Sequence, residues 1–389
     1  MTAPGGHGKV SELTFEGAGL VSYVWGITLS LGLGGERPKS VFGLKSPRCM
    51  AFCSHLNWKH IGTLLLACVC LALPGRADWV NGHSYLSLAD WAAANHLKIS
   101  RNSAGDEFTV SGKTTRLVFG KDSNIAEING VNVALSFPLA VAHGVPLVSQ
   151  LDLARTISPL VFTPKFAPKK ITTICLDPGH GGKDTGNHVG AHYEKIYTLA
   201  LAQELRDELK RAGFKVLLTR SDDEFVDLGE RPDLANRRGA DLFVSLHFNA
   251  SPSDAAHVQG PETYCITPVG ASSSNAQGEG AGHAACVANR VEQKSLLLAW
   301  QVQRALVNNL KVEDRNVRRA RFAVLRDAEM PAILVESGYM THPVEGKKIF
   351  TAAYRQAIAA AIVKGILGYQ KLTSPPTKAT MVAAGASNH

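Results

Sequence analysis

Beyond residue 171, short apolar runs alternate with amphipathic stretches. The runs at 172–176, 215–219, 242–246, 262–266, 322–325 and 332–336 read as buried strands. Between the first two, Ile196, Leu199, Ala202, Leu205, Leu209 and Ala212 recur at three- and four-residue steps, one face of a helix that Gly213 closes. Further helices are expected near 291–311 and 345–370. Strands separated by such helices form crossover units. The pattern therefore predicts an α/β fold, a twisted, mostly parallel six-stranded sheet flanked by helices.

A small α+β module is expected ahead of it, over 78–156. "EFTVSG", "TTRLVFG" and "NIAEINGVNVAL" read as strands, with turns at Ser111-Gly112 and Asn129-Gly130. "SYLSLADWAAANHL" is echoed by "VPLVSQLDLARTI", each a strand-like entry followed by an amphipathic helix. Such strand–helix–hairpin modules resemble the N-terminal domain of copper amine oxidase, which implies a wall-docking or spacer role. A linker rich in proline and lysine, residues 157–170, leads to the larger unit at 171–372, and 373–389 has no apolar periodicity and reads as a disordered tail.

The segment 50–77 reads as a signal peptide: Lys59 and His60, an apolar run from Ile61 to Leu73, then Pro74 and the small-residue pattern Gly75-Arg76-Ala77. Residues 1–49 resemble neither a domain nor a targeting segment, and translation from Met50 would leave them out. The reading is thus an exported chain of the periplasm or cell envelope, touching membrane only through the signal segment. Of seven cysteines, Cys175, Cys265 and Cys286 would remain after cleavage, and the last two are candidates for a disulfide in an oxidising compartment. The formal charge of +8 suits an anionic partner such as a wall polymer; no run of basic and aromatic residues resembles an RNA-binding signature, so nucleic acid is not expected.

Open α/β sheets carry their sites at the carboxyl ends of strands. The first strand ends in "LDPGHGG" with His180, the third in "SLHFNAS" with His247, and the last in "LVESGY" with Glu336, while Glu194 follows the glycine-rich turn of the first. Two histidines and a carboxylate with one open position make a common catalytic zinc set, and a second carboxylate that is not a ligand can move the proton. Glu336 is free for that task. His188 and His192, close to Glu194 and four residues apart, compete for the ligand role on spacing alone. Asn249 and Ser337 lie beside His247 and Glu336, where they can orient ligands or touch substrate. Arg231, Arg237 and Arg238 flank "ANRRGAD"; the ordinary reading of each is solvated helix charge with structural pairing, and Arg238 is also a candidate for substrate.

"LDPGHGGKDTGN", "LTRSDDEFVDLGERPDLANRRGADLFVSLHFNA", "RRARFAVLRDAEMPAILVESGYMTHPVEGKKI" and "YRQAIAAAIVKGILGY" resemble, in order, the signature blocks of the zinc-dependent N-acetylmuramoyl-L-alanine amidases of the amidase 3 type. The resemblance covers about 171–370. It implies one zinc on His180, Glu194 and His247, with Glu336 as catalytic base. It implies hydrolysis of the amide between N-acetylmuramic acid and L-alanine in peptidoglycan. A zinc peptidase of the stem peptide and an inactive wall-binding or division-scaffold protein are the alternatives. The chain departs from the family at Asn187 and Phe248, where alanine is usual or frequent. Some relatives carry an occluding helix, released by a protein activator, where this chain has a Gly/Ser/Ala-rich insertion between Cys265 and Arg290.

Overall fold

A computed structural model of the chain describes residues 78–164, 166, 169–275 and 284–373. The expected leader, the residues before it, the tail after Thr373 and part of the 265–290 insertion lie outside them. Among the described residues no helix is long and apolar enough to cross a membrane.

The first part of the chain builds strands β1 (Asp78–Val80), β2 (His83–Ser87), β3 (Lys98–Arg101), β4 (Glu107–Ser111), β5 (Arg116–Gly120), β6 (Ile125–Ile128), β7 (Val131–Ala134), β8 (Ala140–Ala142) and β9 (Val145–Ser149), with helix α1 (Leu88–Ala94) after β2. The sequence echo is visible in space. β2 and β9 pair antiparallel at Tyr85↔Ser149, Leu86↔Val148 and Ser87↔Leu147, and both run straight into helix. The last serine of each strand caps that helix: Ser87 Oγ accepts from Asp90 N at 3.2 Å and Ser149 Oγ from Asp152 N at 2.9 Å, so the repeated Ser-x-x-Asp is a start signal used twice.

The later part supplies β10 (Thr173–Pro178), a small hairpin β11 (His188–Val189) and β12 (His192–Tyr193), β13 (Lys215–Leu218), β14 (Leu242–Asn249), β15 (Glu262–Ile266), β16 (Val317–Ala320) and β17 (Ala332–Tyr339). Its helices are α2 (Glu194–Arg211), α3 (Glu230–Arg237), α4 (Glu292–Leu310), α5 (Ala323–Arg326), α6 (Glu345–Ile349) and α7 (Ala352–Thr373). β13, β10, β14 and β17 lie parallel in that order; β15 joins β17 antiparallel and β16 joins β15 parallel. The run at 322–325, expected as a strand, is instead mostly the short helix α5, and the strand lies at Val317–Ala320. Two arginines disguise it. Arg318 pairs with Glu262, and Arg319 is buried, donating to Ile266 O at 3.2 Å and to Arg155 O at 3.0 Å.

The six strands do not stop at β16. Val317 bridges Val133 of β7, and the sheet continues through β6, β5, β4 and β3 to eleven strands. Trp300 Nε1 donates to Ile128 O at 3.2 Å and Asn132 N to Asp314 Oδ2 at 2.8 Å, and one apolar core runs through both parts. Period two divides the residues of the later strands. Ile174, Leu176, Val244, Leu246, Ile333 and Val335 lie in the core formed with α2, α4 and α7, whereas Cys175, Phe243, Tyr264 and Leu334 lie in the cluster on the other face. His247 and Glu336 belong by alternation to that second face. The candidate Cys265–Cys286 disulfide is not formed in this structure. Cys265 belongs to the first layer and Cys286 packs against the second, and all three described cysteines are free thiols.

Candidate metal centre and active site

The turn after β10 is built on a buried acid. Asp177 accepts from Thr219 Oγ1 at 2.6 Å, Ser245 Oγ at 2.7 Å and Arg231 Nη1 at 2.8 Å. Arg231 also donates to Pro178 O and His180 O, both at 3.0 Å, and Arg220 donates to Pro178 O and Gly179 O, both at 2.9 Å. Two buried guanidinium groups thus satisfy the carbonyls that a sharp turn leaves over, and present His180 with φ at +61°. The glycines permit close approach: a Cβ on Gly179 would sit 2.2 Å from the His247 ring, and one on Gly186 would sit 2.7 Å from Glu194 Oε2.

Glu194 opens α2, almost wholly buried, and reaches both imidazoles. Its Oε2 lies 3.1 Å from His180 Nε2 and its Oε1 3.0 Å from His247 Nδ1. One ligand atom from each of His180, Glu194 and His247 falls within 4.8 Å of the others. Zinc bonds of about 2.0–2.1 Å in a tetrahedron separate neighbouring ligand atoms by about 3.3 Å, close to the two distances from Glu194 to the imidazoles. Asp184 Oδ2 takes His180 Nδ1 at 2.9 Å, an arrangement that leaves the Nε2 lone pair facing the cluster. Burial opposes the charged form of His180, but the facing Glu194 and Asp184 carboxylates outweigh it and hold its pKa above the ordinary imidazole value. Burial likewise opposes ionised Glu194, and the hydrogen bonds from His180 and His247 reverse the balance, so its carboxyl is held well below the usual range.

Glu336 lies beside His247 in register across β14 and β17, so both side chains leave the sheet on one face. Its Oε2 is buried and has no hydrogen-bond partner among the described residues. Burial, then the Glu194 and Glu262 carboxylates, raise its pKa well above the ordinary value. The four residues share a cleft of about 320 Å³ whose other walls are Asn187, Leu228, Phe322, Ala323, Val324 and Leu334.

The other expected residues fall elsewhere. Ser337 is wholly buried, one residue from Glu336 and therefore on the opposite face of β17, so it does not meet substrate beside Glu336. Arg238 is exposed at the end of α3, next to the amino end of β14, about 16 Å along the strand from His247, and is not a cleft residue. Arg231 is the structural clamp described above. Asn249 Nδ2 donates to Glu262 Oε1 at 2.6 Å and to Tyr339 Oη at 3.3 Å. His192 stacks on Phe350 with ring centroids 3.9 Å apart and His188 is exposed on the hairpin, so neither joins the cluster.

Sequence reasoning missed Glu262, which is buried directly opposite Glu336 and paired with Arg318 at 2.7 Å, and Asp184, which lies four residues after His180. The i, i+4 spacing was a signal for Asp184; nothing local marks Glu262. The two departures noted at Asn187 and Phe248 both meet at Glu194, where each donates a backbone N–H to the carboxylate.

Two imidazoles and a carboxylate, with a second carboxylate alongside, converge at the carboxyl ends of the parallel strands of a mixed sheet and form a group that could hold a metal ion. The family described as N-acetylmuramoyl-L-alanine amidase matches residues 174–368. The AmiA amidase of Escherichia coli is 34% identical over 220 residues, 50% of this chain and 75% of that protein. The uncharacterized protein YqiI of Bacillus subtilis is 35% identical over 217 residues, 56% of this chain and 93% of that protein. Among solved structures, an N-acetylmuramoyl-L-alanine amidase from Clostridium difficile is 33% identical, covering 52% of this chain and 98% of its own with a TM-score of 0.44. The chain belongs to the N-acetylmuramoyl-L-alanine amidase family, and it is an amide hydrolase.

Proposed function

We propose that this chain is an exported, zinc-dependent enzyme of the cell envelope that hydrolyses the amide between N-acetylmuramic acid and L-alanine in peptidoglycan, for wall remodelling, daughter-cell separation or lysis. The observation that carries the reading is the convergence of His180, Glu194 and His247 next to the unpartnered Oε2 of Glu336.

The donor set fits zinc. His180, Glu194 and His247 would hold it, and the orphaned Glu336 oxygen lies beside the cluster without belonging to it. Bound zinc supplies Lewis-acid polarisation of a carbonyl and activation of water. The remaining steps fall to the chain. The cleft walls orient the amide and limit water. Glu336 takes a proton from the attacking water as its oxygen bonds to the lactyl carbonyl carbon. The same carboxyl then returns the proton to the alanine nitrogen as the C–N bond breaks, leaving a lactyl carboxylate and a free amine. Dependence on a protein activator would act on the stretch between Cys265 and Arg290, of which 276–283 lie outside the described residues.

Mass spectrometry of digested peptidoglycan tests the reading. Stem peptides bearing a free L-alanine amino group, released by the zinc-loaded chain and lost with chelator, are expected. Intact muramyl-alanine linkages with cuts inside the stem would replace the amidase with the peptidase.

A further inference from the structure

We infer that Asn187, working with the backbone of Phe248, is a positioning residue that sets the orientation of Glu194 toward both imidazoles and thereby slows loss of the metal. The inference rests on the zinc reading above.

Glu194 receives three hydrogen bonds besides those of the histidines. Asn187 N and Asn187 Nδ2 each donate to Oε2 at 2.9 Å, and Phe248 N donates to Oε1 at 3.0 Å. Asn187 Nδ2 also donates to Phe248 O at 3.1 Å, closing a ring of contacts through Asn187, Glu194 and Phe248. The fold makes this ring available. β10 ends at Pro178, whose partner is Leu246, and the register of β14 against β17 shifts between His247 and Asn249. Phe248 therefore sits at an irregularity of the ladder, and its N–H and C=O turn to Glu194 and Asn187. The Phe248 side chain is wholly buried in the core, which fixes that backbone against the sheet.

The result is a carboxylate held with one oxygen toward each ring. A free glutamate would lose rotamer entropy on taking up metal; here the neighbours hold it in place beforehand. Asn187 lines the cleft and is exposed, so its own contribution belongs at the lower end of such effects, about ten-fold in metal affinity.

The test is competition for zinc between the whole chain and a chromophoric chelator, with the dissociation rate read after excess chelator is added. Asn187→Ala and the near-isosteric Asn187→Leu remove the side-chain donor and keep the backbone N–H. Each is expected to raise the zinc Kd and the dissociation rate about ten-fold. In a Glu194→Ala background the same substitutions are expected to change zinc binding by less than about two-fold, because the group they act through is gone. Zinc affinity within about two-fold of the parent, or equal loss in both backgrounds, overturns the inference. A parent chain that takes up no zinc removes the zinc reading itself, and this inference with it.

Discussion

Replacing Arg231 by methionine isolates the part of the site that is pure architecture. The guanidinium is 3% exposed and faces Asp177, 1% exposed, at 2.8 Å. It also satisfies the carbonyls of Val226, Pro178 and His180. Methionine keeps most of the volume but removes the ion pair, leaving the Asp177 carboxylate with the Thr219 and Ser245 hydroxyls as its hydrogen-bond partners among the described residues. Stranding one partner of a buried pair costs about 3–5 kcal/mol. At about 2 °C per kcal/mol for a body of this size, the thermal midpoint should fall by about 6–10 °C. Zinc affinity should fall too, because His180 is held at its positive φ partly through its own carbonyl. Arg237→Ala is the control: its pair with Asp233 spans 3.9 Å between exposed side chains and should be worth less than about 0.5 kcal/mol. Differential scanning calorimetry reads both. A shift below about 2 °C for Arg231→Met would show that the turn does not depend on this clamp.

Glu336→Gln should lower turnover of purified peptidoglycan by about 10²–10⁴-fold with zinc content unchanged by elemental analysis; a variant that lyses normally takes Glu336 out of the mechanism. Asp241 accepts from Thr172 N, Thr173 N and Lys169 Nζ; despite its burial, these partners pull its pKa down to about 2. The stability this provides is present above the ordinary aspartate value and is lost as pH falls toward about 2, so Asp241→Asn should cost about 1–2 kcal/mol at pH 7 and nothing near pH 2 in denaturant titrations; an equal cost at both would contradict the assignment. Excising 78–161 should leave β16 as an open edge, remove the Ile128 carbonyl from Trp300 and cost Arg319 its Arg155 and Thr156 acceptors, giving a protein that aggregates or melts at least about 10 °C lower; an unchanged midpoint would mean the two parts fold independently.

The cluster was legible because strand ends advertise themselves: apolar runs stop at His180, His247 and Glu336, and the carboxyl-edge rule brings such ends together. β16 was hidden because its arginines look like surface charge, and only the fold supplies Glu262 for Arg318 and carbonyls for Arg319. Glu262 gains its place through neighbours 56 and 77 positions away, Arg318 and Tyr339, a relation that no local pattern carries. The continuation of the sheet into the first module was illegible for the same reason: a single Val317↔Val133 bridge and a shared core, both long-range, decide it.

An anomalous difference map from crystals of the zinc-loaded chain, collected at the zinc edge, tests the central claim most directly. The account predicts a single peak among His180 Nε2, His247 Nδ1 and Glu194, about 2.0–2.2 Å from each, with the Glu336 carboxyl outside bonding distance. A peak on other residues, or no peak at this cluster, would contradict it.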